Sequence, residues 1–134
     1  MKKSFPVLLA LLALVFSVLA CSLGGEPGVS NIRMVTDDTG DTATTVYTST
    51  DAFYVFFDVN AIEPGTMFES RWYVLNFEGQ DPNTPFKTIE YSYEEGNRMI
   101  YFQLTSDTEW PASAYRVEIY MDGVKAGEAT FDVQ

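Results

Sequence analysis

Histidine is absent from this 134-residue chain and cysteine occurs once, at Cys21. Without imidazole, Ser-His and Cys-His nucleophile arrangements are excluded. A zinc site built on imidazole or thiolate is excluded too. A single thiol cannot close an intrachain disulfide, so stability must come from a packed core. Basic residues are also scarce, 8 Lys and Arg against 19 Asp and Glu, for a formal net charge of −11. Phosphate backbones would repel such a body, and no Lys or Arg cluster offsets the repulsion, so nucleic acid is a poor partner. Capture by anionic lipid headgroups is equally disfavoured.

Long apolar runs are missing from all but the first twenty residues. There, Met1-Lys2-Lys3 supplies a basic start, and Phe5 to Ala20 is a run of Leu, Ala, Val and Phe broken by Pro6 and Ser17. A membrane-spanning helix needs about twenty apolar residues, and this run falls short of that. A charged start, a short apolar stretch and a small residue before a cut are the needs of a secretory leader. Val18-Leu19-Ala20-Cys21 closes the run, and the segment resembles a bacterial lipoprotein signal peptide with its lipobox. The resemblance implies diacylglyceryl transfer to the Cys21 thiol, cleavage before it, and fatty acylation (palmitate or similar) of the new amine. Residues 1–20 would be removed, and the remainder would be lipid-anchored on the extracytoplasmic side of a bacterial membrane. Ser22, where inner-membrane retention uses Asp, resembles cargo sorted to the outer membrane in hosts that have two membranes. Losing Lys2 and Lys3 takes the charge from −11 to −13 before termini are counted.

Residues 21–30, Cys-Ser-Leu-Gly-Gly-Glu-Pro-Gly-Val-Ser, read as a short flexible tether. Residues 31–134 are then one domain, long enough for a single core. Ten Phe, eight Tyr and two Trp furnish that core, and aromatic and β-branched residues favour sheet. Strand-like runs alternate with turn signals. Ile32 to Val35 is a first strand, and Thr44 to Thr48 a short edge strand. Phe53, Val55, Phe57 and Val59 fall on one face of a third. Met67 to Phe77 is the longest strand expected, followed by Thr88 to Tyr93 and by a strand with Ile100, Phe102 and Leu104 on one face. Tyr115, Val117, Ile119 and Met121 alternate with polar residues up to a hairpin turn at Asp122-Gly123, and Ala129, Phe131 and Val133 face inward on the return. No run has helical period. Seven or eight short strands predict an all-β, antiparallel sandwich.

The stretch from Trp110-Pro111 through Tyr115-Arg116-Val117-Glu118-Ile119-Tyr120 to Asp122-Gly123 and Phe131-Asp132-Val133 resembles the closing hairpin of bacterial immunoglobulin-like domains. Ser113-Ala114 stands where such domains more often carry glycine. Trp72 matches their buried tryptophan, and Pro64-Gly65 the entry to its strand. The resemblance implies an immunoglobulin-like β-sandwich and leaves its function open.

Three candidate sites emerge. With Trp72 and Val74 pointing inward, alternation sends Arg71, Tyr73, Leu75 and Phe77 to the outer face, beside Arg116, Glu118 and Tyr120 of a neighbouring strand. The possible binding face is therefore Arg71, Tyr73, Leu75, Arg116, Glu118 and Tyr120. Tyr and Arg framed by apolar groups are what protein interfaces use; planar rings could also stack on sugars. Asp37, Asp38 and Asp41 crowd a Gly-containing loop and are a weak calcium candidate, though the spacing is not that of an EF-hand and a solvated turn explains it as well. Asp107 with Glu109, or Glu94 with Glu95, are the nominal pairs for a carboxylate hydrolase. The expectation is a non-enzymatic module without cofactor that contacts another envelope or surface protein. Glycan binding through Tyr73 and Tyr120 is the alternative.

Overall fold

The computed structural model describes residues 28–134. The leader 1–20 and the lipidation site Cys21 lie outside the described residues. Eight strands follow in order: β1 (Gly28–Val35), β2 (Val46–Tyr47), β3 (Phe53–Asn60), β4 (Met67–Val74), β5 (Lys87–Ser92), β6 (Met99–Leu104), β7 (Ser113–Met121) and β8 (Val124–Val133). They form a three-stranded sheet, β1-β3-β6, and a five-stranded sheet, β2-β8-β7-β4-β5. Among the described residues there is no helix long and apolar enough to cross a membrane.

Strict alternation places the core. Phe53, Val55, Phe57 and Val59 of β3 face Phe68, Trp72 and Val74 of β4, with Ile100, Phe102 and Leu104 of β6 and Tyr115, Val117 and Ile119 of β7. Phe131 and Val133 of β8 close the same layer. At its centre lies Phe53. Its ring packs against Tyr47, Trp72, Trp110, Tyr115 and Phe131, with centroids 4.5 to 6.2 Å apart. The polar tips of these rings are satisfied at the rim: Tyr47 Oη donates to the Val35 carbonyl, Tyr115 Oη to the Pro111 carbonyl, and Trp110 Nε1 to the Asp51 carbonyl. The Tyr115 bond reaches four residues upstream, the tyrosine corner found in immunoglobulin-type sandwiches. Trp72, fully buried, donates from Nε1 to Ser70 Oγ at 2.9 Å.

Several expected boundaries shift. β1 begins at Gly28 and pairs with Asn60, so regular structure reaches into the stretch read as tether. β4 ends at Val74 rather than Phe77, and β8 is the longest strand. The short edge strand β2 pairs with β8 in parallel, so the sandwich is not wholly antiparallel. The Asp122-Gly123 turn is as expected, with φ of 49° and 82° suiting a two-residue hairpin. Ser113-Ala114 opens β7 without glycine.

Phe53→Ala should lower unfolding stability by about 3–5 kcal/mol in urea titration, since several rings lose their common neighbour. Gly40 has φ of 73° and a Cβ there would sit 2.8 Å from Phe56 Cε1. Gly40→Ala should therefore cost about 1–3 kcal/mol by the same measurement.

Candidate functional site

β4 and β7 are neighbours, and their register sets Arg71 opposite Glu118, Tyr73 opposite Arg116 and Glu69 opposite Tyr120. These side chains all point to the outer face because Ser70, Trp72, Val117 and Ile119 point inward. Two Arg–Tyr stacks result. The Arg71 guanidinium lies 3.8 Å from the Tyr120 ring centroid, and that of Arg116 lies 4.4 Å from the Tyr73 centroid. Glu118, 7% exposed, joins them. Its Oε1 accepts from Tyr73 Oη and Tyr120 Oη, each at 2.9 Å, while Oε2 lies 3.2 Å from both Arg116 Nε and Lys125 Nζ. The Arg116 contact is an ion pair without hydrogen-bond alignment, so its buried Nε has no hydrogen-bond acceptor. Arg71 also pairs with Glu69 on its own strand.

The electrostatics follow from this geometry. Burial alone would raise the Glu118 carboxyl, but hydrogen bonds from Tyr73, Tyr120 and Lys125 outweigh it and hold the group below its ordinary range. Burial, reinforced by the Glu118 carboxylate, pushes the Tyr73 phenol up to about 12.

Five of the six expected face residues therefore meet in one network. Leu75 does not join it. The strand has ended, and Leu75 sits half-buried in a bend with its N–H donating to the Ala114 carbonyl. Tyr73 is 5% exposed and one face of the Tyr120 ring is covered by Arg71. Neither ring presents the open platform that sugar stacking at these residues requires. In the 37–41 loop, Asp37 Oδ1 accepts from the Thr39 N–H and hydroxyl, a local turn. Asp37, Asp38 and Asp41 do not converge: no three metal-ligating side chains cluster among the described residues. Glu94 and Glu95 lie at the β5–β6 turn, and Asp107 and Glu109 on the β6–β7 connection, all exposed.

A groove that alternation did not reveal opens at the rim of the core. Val74, Phe77, Gln80, Phe86, Trp110, Pro111 and Tyr115 enclose about 180 Å³. Phe77 and Phe86 are 43% and 36% exposed. Phe77 was read as a strand residue on the outer sheet face; instead it leaves the sheet and forms part of the groove wall. Trp110-Pro111, in sequence the start of the closing hairpin, supplies part of its wall.

Tyr47, Tyr73 and Tyr115 are each raised from 10.0 to about 12, chiefly by burial. A raised folded-state value means their contribution is complete below about 10 and is lost as pH climbs towards 12. Urea midpoints should fall across that window, with late tyrosinate absorbance appearing together with unfolding. Glu118 works in the opposite sense, its contribution vanishing as pH drops through its lowered value. Glu118→Gln should cost about 1–3 kcal/mol at neutral pH and bring Tyr73 ionisation to lower pH, since the nearby negative charge is gone.

No protein-family model matches the chain, and no curated protein does. Among solved structures, the chain is similar to an immunoglobulin-like protein from Pseudomonas aeruginosa, with TM-score 0.60 and 13% identity over 82% of this chain and 98% of that one. It also overlaps the alkylpurine DNA glycosylase of Pseudomonas fluorescens, solved with DNA containing an abasic-site analogue (TM-score 0.47, 10% identity, 81% of this chain and 30% of that one). A third is the superoxide reductase of Ignicoccus hospitalis (TM-score 0.43, 13% identity, 80% of each chain). The last two likenesses are too loose to bear on this chain. The first concerns fold alone: the described residues form an immunoglobulin-like β-sandwich.

Proposed function

We propose that this protein is a lipid-anchored, non-enzymatic module that makes protein–protein contacts at a bacterial cell envelope. One observation carries the reading: an exposed aromatic groove lies at the end of the sandwich remote from chain entry. β1 enters at Gly28 beside Asn60, and eight strand residues at about 3.4 Å each separate that end from Val35. A lipid on Cys21, seven residues before Gly28, would hold the entry end near the membrane. The groove would then point away from it, towards neighbours. Phe77, Phe86, Trp110 and the stacked Arg71 and Arg116 are the residue types that dominate protein interfaces. Holding both guanidiniums on rings before contact lowers the ordering cost of binding.

The lipid anchor rests on the lipobox-like Val18-Leu19-Ala20-Cys21 and the extracytoplasmic side on the charged, apolar leader. In a host with two membranes, Ser22 favours the outer one. The absence of histidine favours binding over turnover. Glycan recognition is the weaker reading, because Tyr73 and Tyr120 have ring faces occupied by arginine.

Fractionation of cells expressing the full chain should place it in the membrane, and Cys21→Ser or globomycin should release or stall it. A photo-crosslinking residue at Phe86 should capture a discrete protein adduct in whole cells, while one at Val124, which is 70% exposed at the opposite end, should not. Phe77→Asp should weaken capture at least tenfold while the thermal melt stays within a few degrees. Equal labelling from both positions would remove the groove from the proposal.

A further inference from the structure

Arg33, Arg71 and Arg116 each rest on a ring elsewhere in the sandwich, those of Phe56, Tyr120 and Tyr73. The rings of the groove are different, because no Lys or Arg lines it among the described residues. Trp110 has one face stacked on Phe53 at 4.5 Å, and Tyr115 has one face stacked on Phe131 at 5.4 Å. Their opposite faces are left to the groove. Phe86 stands 6.1 Å from each of them, its plane inclined at 55° to Trp110 and 81° to Tyr115. Trp110 and Tyr115 are themselves 6.5 Å apart at 79°. Tyr115, 1% exposed, lies deepest, and Phe77 and Phe86 stand at the mouth.

Ring faces carry the negative end of an aromatic quadrupole and attract cations. The lining also says which kind of cation. Tyr115 Oη already donates to the Pro111 carbonyl and Trp110 Nε1 to the Asp51 carbonyl, which leaves Gln80 as the one amide in the wall. A lysine or arginine head would leave water with its N–H donors largely unmatched, and that is costly. A quaternary ammonium has no N–H to satisfy. The space of about 180 Å³ is below the roughly 300 Å³ at which sites for drug-sized ligands begin, so the occupant is small. Charge agrees in sign. The chain carries −11, and exposed Glu78, Asp81 and Glu109 adjoin Phe77, Gln80 and Trp110 in sequence. Lys87 and Arg116 adjoin Phe86 and Tyr115, but Arg116 is already paired with Glu118.

We propose that the groove binds the quaternary ammonium head of a small soluble cation of the choline type, held against Trp110, Phe86 and Tyr115. Steep ring planes let one compact head touch several faces together, and no flat guanidinium can do the same.

Titration of the full chain in maltoside detergent tests this, followed by the indole N–H resonances of Trp110 and Trp72. Choline should shift Trp110 saturably and leave buried Trp72 unmoved. Dimethylbutanol, the uncharged isostere with carbon in place of nitrogen, should bind about tenfold more weakly or worse. Ethanolamine, which keeps the charge but carries N–H donors, should do likewise. Phe86→Leu retains apolar bulk without the ring and should weaken choline at least fivefold, with circular dichroism unchanged. An unsaturable choline response overturns the proposal. So does equal binding of either analogue, or indifference to Phe86→Leu. Such a site goes beyond the protein contact proposed for the same groove, and the two fail separately. Choline binding without a protein adduct at Phe86 removes the contact alone, and an adduct without choline binding removes the ammonium site alone.

Discussion

Contact among aromatic rings across the two sheets is the interaction on which the rest of this structure depends. Immunoglobulin-type sandwiches often tie their sheets with a disulfide beside the buried tryptophan. Here Trp72 is present, but a lone cysteine far upstream can form no such tie. Phe53 fills that role by packing, touching Trp72 on one side and Tyr115, Phe131 and Trp110 on others. Rings remove large apolar areas from water and lose little side-chain entropy, so a small domain can be held by them alone. The same cluster reaches the surface through Trp110, whose outer side becomes a groove wall. Core and candidate binding surface are therefore one continuous aromatic body, and a change in either is felt by the other.

The outer face obeys a different physics. Glu118 is a nearly buried carboxylate with two phenols and two cations around it. Such a charge is tolerable only because its oxygens are matched. The stacks of Arg71 on Tyr120 and Arg116 on Tyr73 follow from a single register choice between β4 and β7. A slip of one residue would send Trp72 to solvent and Arg71 to the core, so the buried tryptophan also fixes the polar face.

Much of this was legible from alternation. Phe53, Val55, Phe57 and Val59 lie in the core as their period-two spacing requires, and Asp122-Gly123 turns where its left-handed tolerance allows. Arg71, Tyr73, Arg116, Glu118 and Tyr120 share a face because two strands with known inward residues were neighbours. Leu75 and Phe77 were misplaced, since alternation says which side a residue takes and not where a strand stops. β4 stops when the backbone bends after Val74 and the 76–86 connection turns back over the rim. The parallel pairing of β2 was hidden for a similar reason, as a two-residue strand has no pattern of its own. Asp37, Asp38 and Asp41 made only a weak calcium candidate beside a solvated turn, and the Thr39 turn directs Asp37 into local bonds.

Local composition by itself determined that this chain would be built of sheet, would have no imidazole chemistry and would carry a strongly acidic body. It also determined which residues face inward, because side-chain period is a property of the strand alone. Only the tertiary structure decided that the outward tyrosines would be capped by arginines and that Phe77, Phe86 and Trp110 would assemble a groove. Those outcomes depend on which strands become neighbours and where each one ends, and long-range packing of both sheets around Phe53 sets both.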